Sequence, residues 1–145
     1  MVGNNQAIGS GAIIFAIITA IFHILFFIAE SVLWLEPYIY QNVLSKPDSS
    51  EGVGLFEQAT LMKIVFFNQG FYNLFLALGL ITGMIFVKNG SVEQGITLIG
   101  FCCLFAFGAG VVLALSAGAF LGATVQALPP MMALIFLYLG LSKEA

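Results

Sequence analysis

Charge is scarce in this sequence. Of its 145 residues 8% are charged, and the four basic residues are all lysine. A soluble globular domain carries about 25% charged residues, so a chain that is 61% hydrophobic has too little polar surface to face water. Four lysines in a chain of net charge -3 cannot follow a phosphate backbone, which excludes a nucleic-acid partner. The composition predicts an integral membrane protein with lipids as its first partners.

Metal-binding side chains are also few. The only cysteines, Cys102 and Cys103, are neighbours inside an apolar run, where a disulfide between them would be strained and a buried apolar role is expected. His23 is the single histidine. The sequence has no spacing typical of zinc ligands, so we expect no metal or other cofactor.

Long apolar runs fill the rest of the chain. A helix needs about 20 residues to cross a bilayer, and four runs reach that length, at 8–34, 59–87, 92–117 and 120–141. They predict an all-α fold: an antiparallel four-helix bundle that forms one transmembrane domain over residues 1–145. The first run is longer than the core of a signal peptide, so we expect it to be retained as a helix.

Polar breaks separate the four runs. The longest, around 46–52, predicts an outer loop between the first two helices, and Trp34 and Tyr38 beside it suggest an aromatic belt at the membrane surface, with Tyr40. Ser91 and Gln94 resemble a capping box at the start of the third helix. With four spans, Lys88 and Lys143 lie on one side and Lys46 on the other, so the positive-inside rule predicts that both termini are cytoplasmic.

Two features bear on helix packing. Pro129 and Pro130 remove two backbone donors and crowd the carbonyls four residues earlier, which predicts an interruption of the fourth helix, read as either a plain kink or a functional break. Small residues at four-residue spacing allow close helix contacts, within the bundle or between copies in a homo-oligomer. They are Gly79 and Gly83 on the second helix and Ala106, Gly110 and Ala114 on the third.

Several polar side chains interrupt the apolar runs, and they are costly in hydrocarbon unless they find partners. Counting 1.5 Å per residue along alternating helices places them in the outer half or the middle of the membrane. Spacings of three, four and seven residues put many of them on shared faces. We therefore predict a substrate-binding site, with no assigned catalytic residue, formed by His23, Glu30, Asn68, Gln69, Tyr72, Asn73 and Gln126.

Individual members of this set allow more than one interpretation. Glu30 is either an ion or proton site or an acid that reaches water near the interface. Lys63 either pairs with Glu30 or extends its side chain towards the surface, and the second is favoured. His23 either relays protons or bonds to an amide across the bundle. The amides either bind a solute or join helices.

The order of these residues resembles a known family. His23, Glu30 and Trp34 precede the hexapeptide at 68–73, Asn-Gln-Gly-Phe-Tyr-Asn, and Gln126 follows with Pro129. This outline is similar to that of a family of small bacterial four-helix membrane proteins, domain of unknown function 1304, over nearly the whole chain. The resemblance implies the fold, the location of the polar cluster and a bacterial cytoplasmic membrane, but no reaction.

Three functions remain open from the sequence. The first is a small transporter or channel for a solute or ion. The second is a membrane-embedded enzyme that acts on a lipophilic substrate, with Glu30 and His23 as acid and base; no nucleophile motif supports it. The third is a structural or accessory subunit in which the amides hold helices together.

Overall fold

The computed structural model describes residues 8–44 and 52–141, and all regular secondary structure there is helical, with no strand. The elements are α1 (Ser10–Phe27), a π-helical turn (Ile28–Val32) that continues α1, α2 (Pro37–Val43), α3 (Leu55–Lys88), α4 (Val92–Ala117) and α5 (Phe120–Leu141). The predicted fold class, an all-α membrane protein of the helical-bundle type, is confirmed. One domain over the full length stays a prediction.

Within the described residues, four segments are long and apolar enough to cross a membrane: Ser10–Val32, Leu55–Lys88, Val92–Ala117 and Phe120–Gly140. They match the four predicted spans with shifted ends. α3 begins at Leu55 rather than at 59, because Gln58 donates its backbone N–H to Gly54 and its side-chain amide to the Val53 carbonyl. These bonds satisfy groups at the helix start that would otherwise lack partners. Most of the outer loop and both termini lie outside the described residues.

The chain divides into two compact units, residues 1–23 with 76–145, and residues 24–75. In the first unit α3 and α4 approach closely at glycines. A Cβ atom added to Gly83 would lie 3.1 Å from the Gly95 carbonyl oxygen, and one added to Gly79 would lie 2.8 Å from the Cys102 sulfur. The predicted close contact at Gly79 and Gly83 is therefore present within the chain.

α4 and α5 pack against each other in the same unit, and Gly110 lies in their contact. A Cβ atom at Gly110 would meet the Ala127 backbone nitrogen at 2.9 Å and the Ala123 carbonyl oxygen at 3.0 Å. Gly118 ends α4 in the left-handed conformation, with φ of 62°, and donates its N–H to Ala114. Glycine adopts this conformation without the steric cost that a side chain imposes.

Two local expectations are corrected in this unit. α5 runs through Pro129 and Pro130 without ending, and both prolines are buried, so the predicted interruption is not a break between helices. The Ser91 side chain makes no capping hydrogen bond at the start of α4; its backbone carbonyl instead accepts the N–H of Gly95.

The second unit has a small aromatic core where the π-helical turn, α2 and the start of α3 meet. Trp34, Tyr40 and Ala59 are its buried members. Leu35, Ile39, Leu44, Leu55 and Phe66 pack around them. Of the three aromatic residues predicted to form a surface belt, only Tyr38 is exposed, because Trp34 and Tyr40 are used for this core instead.

Candidate functional site

The polar side chains of the second unit are positioned by the π-helical turn at the end of α1. Leu33 donates its N–H to the Ile28 carbonyl five residues earlier, at 2.9 Å, and this bond closes the wider turn. Single π-helical turns inside α-helices hold one extra residue and occur often at functional sites. Here the extra residue lets two neighbours, Glu30 and Ser31, both reach α3.

Glu30 lies within this turn and is half-buried. Its carboxylate oxygen Oε2 accepts a hydrogen bond from the Asn73 side-chain nitrogen Nδ2 at 2.8 Å. Asn73 is itself buried on α3, with 6% of its surface exposed. The expected close approach of Glu30 to the second membrane-spanning helix is thus present, and its partner is a neutral amide.

Ser31 makes the next contact with α3. Its hydroxyl donates to the Phe67 carbonyl at 2.8 Å. Gly70, one turn further along α3, leaves the space that Ser31 occupies, since a Cβ atom there would overlap the Ser31 hydroxyl oxygen and lie 3.0 Å from the Ser31 backbone nitrogen. The glycine inside the hexapeptide is therefore required by a close approach of backbone.

Trp34 makes the third contact. Its indole nitrogen Nε1 donates to the Ala59 carbonyl at 2.8 Å, and its ring stacks on Phe66 with the ring centres 3.6 Å apart. As the chain advances from Glu30 to Trp34, its partners on α3 move back from Asn73 to Ala59, as expected for antiparallel segments. We call these three contacts, Glu30–Asn73, Ser31–Phe67 and Trp34–Ala59, the polar seam.

The other predicted site residues of this unit lie elsewhere on α3. Asn68, Gln69 and Tyr72 are exposed, whereas Asn73 is buried. Successive residues on a helix point about 100° apart, so Tyr72 does not accompany Asn73 into the polar seam. Lys63 is also exposed and lies ten residues before Asn73, or about 15 Å along the helix axis.

His23 and Gln126 belong to the first unit. His23 is buried, and its ring nitrogen Nδ1 lies 2.8 Å from the Thr19 carbonyl oxygen. A carbonyl only accepts, so Nδ1 carries a proton. Gln126 is half-buried on α5. That all seven residues line one site stays a prediction.

Sequence reasoning missed Ser31, which belongs to the polar seam, and Gly70, which leaves room for it. The available signal for Ser31 was its position next to Glu30 in an apolar run, and for Gly70 its place inside the polar hexapeptide. Across residues 8–44 and 52–141 no group of three or more His, Cys, Asp or Glu side chains is placed to hold a metal ion.

Four membrane-length apolar helices, two of them joined by a polar seam, define an integral membrane protein of the all-helical class. The chain belongs to the family described as "Protein of unknown function (DUF1304)", whose model matches residues 17–138. The matched range includes every predicted site residue and both sides of the polar seam. Searches of curated proteins and of solved structures gave no match.

Proposed function

We propose that the protein is a small transporter or channel for a proton or a cation, with Glu30 as the binding group. The observation that carries this proposal is the pairing of an acid with a neutral amide inside a membrane-spanning segment. An ionised carboxylate is costly in a low-dielectric environment unless a positive charge compensates it. The Asn73 amide supplies a hydrogen bond but no charge.

No fixed cation among the described residues of the second unit can supply that charge. Lys63 is the only basic residue in the described part of this unit, 24–44 and 52–75, and about 15 Å of helix separates it from Asn73. A lysine side chain is too short to bridge that distance. Charge compensation at Glu30 then requires an exchangeable ion, either a bound proton or a cation, and the half-buried side chain leaves access for one.

The proposal also covers the membrane, the orientation of the protein in it and the route of the solute. The site would lie in the outer half of a bacterial cytoplasmic membrane, with both termini in the cytoplasm. His23, Gln69 and Gln126 would add polar groups along the route of the solute.

The test is ion flux into proteoliposomes. Wild-type protein should carry protons or sodium ions down an imposed membrane potential, measured with a pH-sensitive or sodium-sensitive dye inside the vesicles. Glu30→Gln keeps the size and the hydrogen bond to Asn73 but removes the charge, so we expect flux to fall to that of empty vesicles. Glu93→Gln changes an exposed acid on α4 and is the matched control, with flux expected to remain.

A second candidate function is a structural subunit, and the polar seam favours it because its three contacts join α3 to the π-helical turn and to the turn that follows it. Hydrogen bonds between membrane helices contribute about 0.6 kcal/mol on average. If wild-type flux equals that of empty vesicles while Glu30→Leu, which removes the hydrogen bond to Asn73, lowers the unfolding temperature, the transport proposal is wrong and the structural role remains. No contact among the described side chains favours the enzyme.

A further inference from the structure

Nearly all side chains of α3 between 60 and 69 are exposed, and one stripe of exposed side chains continues to Phe75 on the side away from buried Ala59, Gly70 and Asn73. Leu61, Ile64 and Tyr72 are 74%, 75% and 62% exposed, and Asn68 and Phe75 are exposed as well. Intervals of three and four residues place these five on one stripe of a helix. We call this stripe the outer face of α3.

The outer face fits neither lipid nor water along its length. α3 ends at Lys88 in a polar turn, which marks one membrane surface. Counted back from Lys88, Tyr72 lies about 24 Å away, Asn68 about 30 Å and Leu61 about 40 Å. The hydrocarbon core is about 30 Å thick, so a phenol lies inside it, an amide at its edge, and exposed leucine and isoleucine side chains beyond it.

The side chains of the outer face can pair with the same side chains of a second copy of the chain. A two-fold axis brings the same residue of two chains together, and each then needs a side chain that bonds to its own kind. An amide both donates and accepts, and so does a phenol. Leu61, Asn68 and Phe75 recur at seven-residue intervals, the repeat of a helix pair in which one central asparagine fixes register and partner number.

We propose that the outer face of α3 pairs with the same face of a second copy of this chain, with the two Asn68 amides hydrogen-bonded to each other. The pairing covers the apolar side chains that lie beyond the hydrocarbon core of the membrane. It also gives the Asn68 amide a hydrogen-bond partner at the edge of that core. The glycine faces at Gly79 and Gly83 are filled by α4 of the same chain, so they do not compete for this role. Glu30 bonds to the opposite, buried side of α3, so the pairing does not depend on the proposed function.

Cysteine cross-linking in membranes tests the face. Leu61→Cys and Phe75→Cys place cysteines in the proposed dimer interface, where each lies next to its own counterpart. Oxidation should therefore yield a covalent dimer of two chains. Leu115→Cys and Leu121→Cys, at equally exposed positions on α4 and α5, are the controls and should remain monomeric. The native cysteines are buried and common to all four variants.

Three results would overturn the proposal. Equal cross-linking at all four positions would mean random collision. No product at Leu61 and Phe75 would mean that lipid covers the face, and a product of a mass other than two chains would mean that a different protein does.

A second measurement examines Asn68 itself. Asn68→Ala removes the amide and should weaken dimerisation about three- to tenfold in analytical ultracentrifugation, the range expected for one hydrogen bond between membrane helices. Thr82→Ala is the control on the same helix, since that exposed hydroxyl bonds to the Leu78 carbonyl within α3. An unchanged dimer in Asn68→Ala, with cross-linking still specific to Leu61, would assign the pairing to the apolar residues and refute the amide contact.

Discussion

Gly70 is a position in the second unit that leaves no room for a side chain. The Ser31 hydroxyl lies where a Cβ atom of residue 70 would be, and the Ser31 backbone nitrogen is 3.0 Å from that position. Flexible side chains can give way to a methyl group, but a backbone atom in the π-helical turn cannot do so without moving the turn. A side chain at position 70 would therefore displace the π-helical turn that holds Glu30.

We accordingly predict that Gly70→Ala destabilises the protein by about 1–3 kcal/mol, the range for overpacking a filled site. Thermal unfolding in detergent is the measurement. Gly100→Ala is the control, because its added methyl group would have its nearest neighbour at 4.0 Å. If both variants unfold at the wild-type temperature, Ser31 does not lie against Gly70 as described.

Glu30 and Asn73 are expected to act as a coupled pair. A double-mutant cycle with Glu30→Leu, Asn73→Leu and the double variant isolates their interaction from the cost of each truncation. We expect a coupling free energy of about 0.6–1.7 kcal/mol, as measured for hydrogen bonds between membrane helices. Additive effects would show that the 2.8 Å contact contributes nothing to stability.

At the scale of elements, α4 has one glycine in close contact with another helix and one with open space around it. Gly110 faces α5, where the atoms around an added Cβ are the Ala127 nitrogen and methyl carbon and the Ala123 carbonyl oxygen, all within 3.0 Å. Gly108, two residues earlier on the same helix, has nothing within 4 Å of that position. The two positions form a matched pair.

For this pair the predicted effects have opposite signs. Gly110→Ala should lower the free energy of unfolding by about 1–3 kcal/mol because rigid backbone must move. Gly108→Ala should leave it unchanged or raise it by about 0.5–1 kcal/mol, since alanine loses less entropy in a helix. Unfolding in a denaturing detergent series measures both, and a larger loss in Gly108→Ala would contradict the described α4–α5 contact.

At the scale of the whole molecule, a crossing by α4 puts its two ends on opposite sides of the membrane. Ser91 precedes α4 and Ser116 lies near its end, and both are exposed. Ser91→Cys should react with an impermeant maleimide only after cells are opened, if the termini are cytoplasmic, and Ser116→Cys should react in intact cells. Labelling of both positions from the same side would show that α4 does not cross.

The four spans were predictable because each is a continuous apolar run, and the close glycine contacts were predictable from four-residue spacing. The polar seam was predictable only in part. Regular helical geometry separates Glu30 and Ser31 by about 100°, so the sequence did not predict that both reach α3. In the structure both lie in the π-helical turn, which leaves no clear pattern in the sequence. Tyr72 and Asn73 are also adjacent polar residues, but they lie on a regular helix and point in different directions. Tyr72 is exposed, whereas Asn73 is buried.

The stacked indole of Trp34 has an optical consequence. Trp34 is the only tryptophan in the chain, 3% exposed, and one turn from Glu30. Intrinsic fluorescence excited at the indole band therefore reports on residues 24–75 alone. We expect blue-shifted emission that aqueous acrylamide barely quenches. Phe66→Leu should shift it to the red, whereas Phe101→Leu on α4 should not. An ion that alters the Glu30 segment would then change the emission without any attached dye.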